Sequence, residues 1–336
     1  SLQLLNTAVR MKPCTLSHML RAEAMVTRAF NSGKLSDIES ALADIAVANS
    51  MSWSQNNMQL LGYNCFTHYH AAFLYARAGD TNRSLLHLAQ ADDYGRRLEQ
   101  FRRNPVAATW RIIQLEMAGR FEGPNSAFSY MQELVEHEKL NHPLVALRYG
   151  NALLRRGEVE KSVSTYESVA GDDWIDSQRL MALFEHPTRH TEFQTELTRF
   201  MNRYAGGIIE LHNPWFLMYA GRKAEARQMA REFLAKMKAN RDRFSRLRPR
   251  YWTIAEFLAG NITEKDFIDS TEGVLGDQCD AHALAGFARL ADGDRDGAMD
   301  HFRQAVSTGV YVWTFYSLAE SALAQVKRNP VWPPQF

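Results

Sequence analysis

Apolar residues return every three or four positions through nearly all of this chain, and the strict apolar–polar alternation that marks a strand is scarce. The pattern predicts an all-α protein. Its helices are separated by short punctuation of one kind: "NSGK" at Gly33, "RAGD" at Gly79, "MAGR" at Gly119, "RRGE" at Gly157, "YAGR" at Gly221, "LAGN" at Gly260 and "ADGD" at Gly293. Glycine after an apolar helix is the expected stop, because the chain turns there through positive φ and no Cβ resists it. Successive corner glycines lie 46, 40, 38, 64, 39 and 33 residues apart by subtraction, a spacing that predicts helical hairpins stacked one on the next. The long interval hides a unit without its glycine. "SQRLMALFEHPTRHTEFQTELTRFMNRYAGG" supplies it, with Pro187 breaking two helices and Gly206 and Gly207 ending the second. About eight hairpins are therefore expected in a single domain over 1–336, with N-terminal hairpins at roughly 15–204, C-terminal hairpins at 208–310, and a capping helix and tail at 311–336.

The spacing around the corners carries a second pattern. After Gly293, small or aromatic residues fall at Ala298, Phe302 and Ala305, with Gly286 seven positions before; after Gly157 the same offsets give Ser162, Tyr166 and Val169, with Gly150 before. After Gly79 they give Ser84, Leu88 and Ala91, with Ala72 before. Small residues suit places where two helices cross closely, and a large ring fills the gap beside them. These positions resemble those of tetratricopeptide (TPR) repeats. The resemblance implies a TPR-like α-α superhelix, or solenoid. It is close at Gly157 and Gly293 and looser elsewhere: "FEGPN" shifts the pattern after Gly119 to Ala127, Met131 and Leu134, and Lys265 occupies the small-residue position after Gly260.

"DGDRDGAMDHFR" offers a competing interpretation, since Asp292, Asp294, Asp296 and Gly297 spell the start of a calcium loop. Such a loop needs a bidentate glutamate at its twelfth position. That position is Arg303, whose guanidinium opposes a cation. A helix corner accounts for the same letters and places Asp294 and Asp296 at a helix N-terminus, where carboxylates are favoured.

The last sixty or so residues are similar to the ends of repeat-bearing tails of large bacterial serine/threonine protein kinases. Cys279, Ala281 and His282, then Gly293 and Asp294, His301 and Phe302, Thr308 to Val310, and Trp332 to Pro334 carry that likeness. The physical pattern agrees: a repeat array must end with a helix that covers its last apolar face, and Tyr311 to Lys327 is expected to do so before proline stops it. The likeness is to a tail and does not make this chain a kinase; if a kinase domain exists, it lies upstream of Ser1. The chain contains no glycine-rich phosphate loop, His-Arg-Asp, Asp-Phe-Gly or Ala-Pro-Glu of its own. Because it begins with Ser1, a fragment of a longer protein is expected.

Composition narrows the chemistry further. A formal net charge of +1 gives no global attraction to nucleic acid or anionic membrane. Cys14, Cys65 and Cys279 lie far apart without a CxxC, which argues against zinc and a disulfide framework and suggests a reducing, cytoplasmic setting. No apolar stretch is long enough to span a bilayer, so no membrane insertion is expected. His186 and His190 stand four apart but flank Pro187, and His68 and His70 point to different sides of a helix. Neither pair predicts a metal, and no cofactor or catalytic triad is expected. "KMKANRDRFSRLRPR" gathers Arg241, Arg243, Arg246, Arg248 and Arg250. They form a candidate anion-binding cluster, although a solvated helix end and linker explains them as well.

In a repeat array the first helix of each hairpin lines the groove. By that register the groove candidates are Phe66, Tyr69, Phe73 and Arg77, then Leu144, Leu147, Asn151 and Arg155. Aromatics offer apolar pockets, and Arg or Asn can hold a peptide backbone or carboxylate, although about half of these side chains are expected in the core. The expectation is a non-catalytic interaction or sensing scaffold that binds a peptide or protein segment. A small-effector sensor arm of an ATP-dependent bacterial transcription activator and a helical enzyme are the alternatives.

Overall fold

The structure, a computed structural model, describes residues 2–51, 57–169, 173–186, 188–203, 212–240, 249–310, 314–329 and 331. Among these are eighteen α-helices and no strand. Helix α1 (Leu2–Met11) precedes α2 (Thr15–Ser32) and α3 (Leu35–Met51), then α4 (Met58–Arg77) and α5 (Thr81–Leu98). Next come α6 (Pro105–Met117) and α7 (Ala127–Gln132), the latter continued by a π-helical turn over Glu133–His137, and α8 (Pro143–Arg156) with α9 (Val159–Glu167). The series goes on through α10 (Asp173–Glu185), α11 (His190–Arg203), α12 (His212–Tyr219), α13 (Lys223–Ala239), α14 (Pro249–Ala259) and α15 (Glu264–Asp269). It ends with α16 (Leu275–Ala291), α17 (Arg295–Ser307) and α18 (Thr314–Arg328). The helices pack in neighbouring pairs, among them α2 with α3, α4 with α5 and α16 with α17.

All seven corner glycines adopt the left-handed conformation, with φ between 68° and 80°. Each joins the two helices of a hairpin, and at two corners the next residue caps the second helix: Asp80 accepts from the Arg83 amide and Asp294 from the Gly297 amide, whereas Glu158 and Arg222 form no such bond. Asn104 accepts two amides ahead of Pro105, whose fixed φ suits the first helical position. Pro187, Gly206 and Gly207 lie outside the described residues, but α10 ends before the proline and α11 begins after it.

Close crossing explains two other glycines. A Cβ on Gly286 would lie 2.5 Å from the Phe302 ring, and one on Gly150 would lie 2.3 Å from the Tyr166 ring. Both rings are fully buried. Ser162 strengthens the second crossing by donating its hydroxyl to the Gly150 carbonyl at 2.9 Å, and the Tyr166 hydroxyl donates to Asn151 Oδ1 at 2.8 Å. Ala298 and Ala305 flank Phe302 with no exposed surface. Burial of one such ring stabilises by roughly 1.5–3 kcal/mol.

Two compact units make up the chain, Ser1–Arg148 and Tyr149–Phe336. The boundary between the units falls within α8. In the first unit, Met19, Val26, Ile38, Ile45, Leu60, Leu74 and Tyr75 form a core shared by α2, α3 and α4. A second cluster joins Leu61 and Cys65 of α4 to Leu98 and Ala107. In the second unit, Trp215 stacks on Phe216 at 4.1 Å and lies 5.6 Å from Phe287, which meets Tyr219 and Phe302 at 5.1 Å each. The closing helix α18 is tied down at its end by Arg295, which donates to the Asn329 carbonyl at 2.7 Å. Tyr311 and Trp332 to Pro334 lie outside the described residues. The Gly260 hairpin is the most reduced. Helix α15 has six residues, Lys265 is exposed, and Phe267 alone fills the interior.

Candidate functional site

First helices α2, α4 and α6 surround an apolar recess of about 190 Å³ in the first unit. Leu16 comes from α2, Met58 and Tyr63 from α4, and Val106 and Trp110 from α6. Their order follows from the hairpin rhythm, since three successive first helices each contribute one turn. Leu16 is 54% exposed and Val106 44%, an unusual state for aliphatic side chains grouped at one opening. Tyr63 and Trp110 form the walls with ring centres 5.9 Å apart. The Tyr63 hydroxyl donates to Glu23 at 3.1 Å, and burial followed by that carboxylate pushes it up to about 12. The recess therefore combines an apolar floor with a neutral hydroxyl and an acid at its edge.

Of the groove residues expected on α4, Phe66 backs the recess through Trp110, and Tyr69, Phe73 and Arg77 lie farther along the helix, outside its lining. Phe66 meets Trp110 edge-on at 5.3 Å and His70 at 4.1 Å; Phe73 packs on Phe30 at 5.4 Å. Both rings are half-buried, Tyr69 is buried, and exposed Arg77 lies over the Phe73 ring at 5.7 Å. On α8, Leu144 is exposed and Leu147 half-buried. Asn151 is buried and accepts from Tyr166, while Arg155 pairs with Glu320 at 2.6 Å. Tyr69 and Asn151 thus serve the interior, and Arg155 is committed to α18.

Other sequence candidates are also accounted for by local partners. Asp292 pairs with Lys223, Asp294 caps α17 and receives Arg289 at 3.0 Å, and Arg303 pairs with Asp300. Among the described residues no group of three or more His, Cys, Asp or Glu side chains is placed to hold a metal ion. His186 meets Glu160 at 2.6 Å and His70 bonds the Phe66 carbonyl at 2.9 Å. Cys14, Cys65 and Cys279 form no disulfide, and burial raises Cys65 to about 12. Arg241, Arg243, Arg246 and Arg248 lie outside the described residues; Arg250 bonds Asp277 at 3.0 Å and approaches Asp280 at 3.5 Å. Among the described residues no helix is long and apolar enough to cross a membrane.

A duplicated pattern was overlooked in the spacing. Cys65, His68, Gly79, Asp80 and His87 recur in the same register as Cys279, His282, Gly293, Asp294 and His301. Each histidine pair is nineteen residues apart and meets across its hairpin, Nδ1 to Nδ1, at 3.0 and 3.1 Å. Burial, then the facing imidazole, holds both His68 and His282 down to about 4. The second partners differ: His301 turns Nε2 to Glu264 at 3.2 Å, whereas His87 Nδ1 also faces Gln90 Oε1 at 3.1 Å. A half-buried acid stands beside α18 as well: Glu185 accepts from the Tyr219 hydroxyl at 2.7 Å and from Gln325, and desolvation pushes it up to about 7.

The fold and site define an all-α protein of helical hairpins packed as neighbouring pairs, with an apolar recess on first helices. No protein-family model matches the chain, and no curated protein matches it.

Proposed function

We propose that the chain is a TPR-type repeat scaffold, non-catalytic in itself, that takes up a peptide or protein segment through an apolar anchor residue. The observation that carries this reading is the recess bordered by exposed Leu16 and Val106 and walled by Tyr63 and Trp110. An apolar side chain of the partner would remove these surfaces from water, and exposed Arg77 would offer its fork to a backbone carbonyl or carboxylate farther along the helix. In the concave groove of a repeat superhelix, Leu144 would extend the same surface to a later hairpin. The likeness at the C-terminal end supports a place in a bacterial serine/threonine kinase, with segment capture relayed to a catalytic domain elsewhere in the parent protein. Both steps rest on resemblance and so define the order of experiments.

Peptides selected from a displayed library on the immobilised chain, followed by fluorescence anisotropy, test the reading. Selected peptides should share an apolar anchor, and the pair Leu16→Asp and Val106→Asp should weaken them about tenfold or more, equal to about 1.4 kcal/mol. Because both side chains face water, the melting temperature should stay within about 2 °C. Affinity indifferent to the pair of substitutions, or a selection that returns no peptide, would refute the reading.

A further inference from the structure

A second cavity, of about 270 Å³, opens in the second unit among α14, the turn after α15, and the start of α16. Its lining is unlike that of the α2–α4–α6 recess. Asp280 is only 3% exposed, and its Oδ1 has no hydrogen-bond partner. The Ser270 and Thr271 hydroxyls spend their protons on the Phe267 and Ile268 carbonyls at 2.7 Å, so each offers only lone pairs to a guest. Arg250, the one cation in the lining, is engaged by Asp277 and by the other side of Asp280. The polar lining is therefore acceptor-rich, with two carboxyl groups against a single guanidinium. Ile254 and Phe267 complete it with apolar surface.

We propose that this cavity binds a small organic cation, a primary ammonium on a short apolar or aromatic body, with Asp280 Oδ1 as the principal acceptor. An ammonium supplies three donors, one to the unpartnered Asp280 Oδ1, in a lining where Arg250 and the Thr253 hydroxyl are the other polar donors, and its apolar body meets Ile254 and Phe267. A bare metal ion is a poorer fit, because half of a hard cation's shell would face hydrocarbon. An anion is disfavoured by two carboxyl groups beside an already paired arginine. Burial pushes Asp280 up to about 7, opposed by Arg250 and reinforced by Asp277, so the carboxyl is ionised above that value, and a bound ammonium would favour the ionised form. The volume is equivalent to about nine waters, so the guest is of monoamine size. This site is independent of the peptide recess, which lies in the other unit.

Calorimetric titration of the full chain at pH 8 with phenethylammonium chloride provides the test, with 2-phenylethanol, 3-phenylpropionate and calcium chloride as the other probes. The amine should bind saturably and the other three should not. Asp280→Asn should weaken the amine at least tenfold while preserving shape. Thr271→Val, which removes a lone-pair donor without changing volume, should weaken it several-fold and serves if Asp280→Asn does not fold. The proposal is overturned if the amine fails to saturate, if the alcohol, carboxylate or calcium binds as tightly, or if folded Asp280→Asn binds the amine undiminished.

Discussion

In the Gly79 hairpin the residues at the helix crossing are Ala72 and Leu88; the corresponding pair in the Gly293 hairpin is Gly286 and Phe302. The two hairpins share a corner glycine, a capping aspartate, a buried cysteine and a histidine pair. They differ in what fills the crossing. Phe302 has no exposed surface and presses on a glycine, whereas Leu88 is half-buried beside an alanine position. The Gly157 hairpin repeats the ring-filled form with Tyr166 on Gly150. Ring and glycine occur together because a ring at that site leaves no room for a Cβ; a smaller branched side chain tolerates one. The corner glycine recurs in both forms, while at the crossing a ring comes with a glycine and a leucine with an alanine.

The largest expected contrast is between truncations at the crossing. Phe302→Ala should cost about 3–5 kcal/mol, and Leu88→Ala, half-exposed at the start, about 1 kcal/mol. Urea unfolding of each variant checks this, and equal losses would break the comparison.

The pH response comes next. His68 and His70 of the Gly79 hairpin are both held near 4 by burial. A depressed histidine stabilises above its unfolded value near 6.5, and that stability is lost as pH falls toward 4, by up to about 3 kcal/mol each, less for the part-exposed His68. The Gly293 hairpin has one such histidine, His282, and also Asp280, raised to about 7. A raised carboxyl acts oppositely: its contribution is complete below about 4 and lost as pH rises through 7. Hydrogen exchange followed from pH 8 to pH 5 should show α4 and α5 losing protection while α16 and α17 change less. In Asp280→Asn the two regions should converge.

Smaller still is the effect at the glycines. Gly286→Ala should cost about 1–3 kcal/mol by forcing the Phe302 ring aside. Ala72→Gly should cost about 0.5–1 kcal/mol, through backbone entropy in a helix interior. A reversed order in thermal melts would show that the crossing at Gly286 is not tight.

Much of this was legible in the letters because it is local. A glycine after an apolar helix carries its own conformational reason, and the offsets from Gly293 to Ala298, Phe302 and Ala305 placed a buried face correctly. The recess was not legible, since Leu16, Tyr63 and Trp110 are brought together by three hairpins and no single helix announces them. Asp280 was hidden for a different reason. Its partner Arg250 belongs to a basic run whose other arginines suggest an anion site, and only geometry reveals that this one answers two carboxyl groups. Tyr69 and Asn151 were assigned to the groove from register alone, yet register cannot tell a half-turn toward the core from one toward solvent.

The most direct test is a double-mutant cycle that converts the crossing of the Gly293 hairpin into that of the Gly79 hairpin. Gly286→Ala and Phe302→Leu are each measured by urea unfolding, then combined. If ring and glycine act as one unit, the smaller leucine accommodates the added Cβ, and the double variant should be at least about 1 kcal/mol more stable than the two single losses predict together. Additivity within about 0.5 kcal/mol would contradict the account, because it would mean that Phe302 and Gly286 contribute separately.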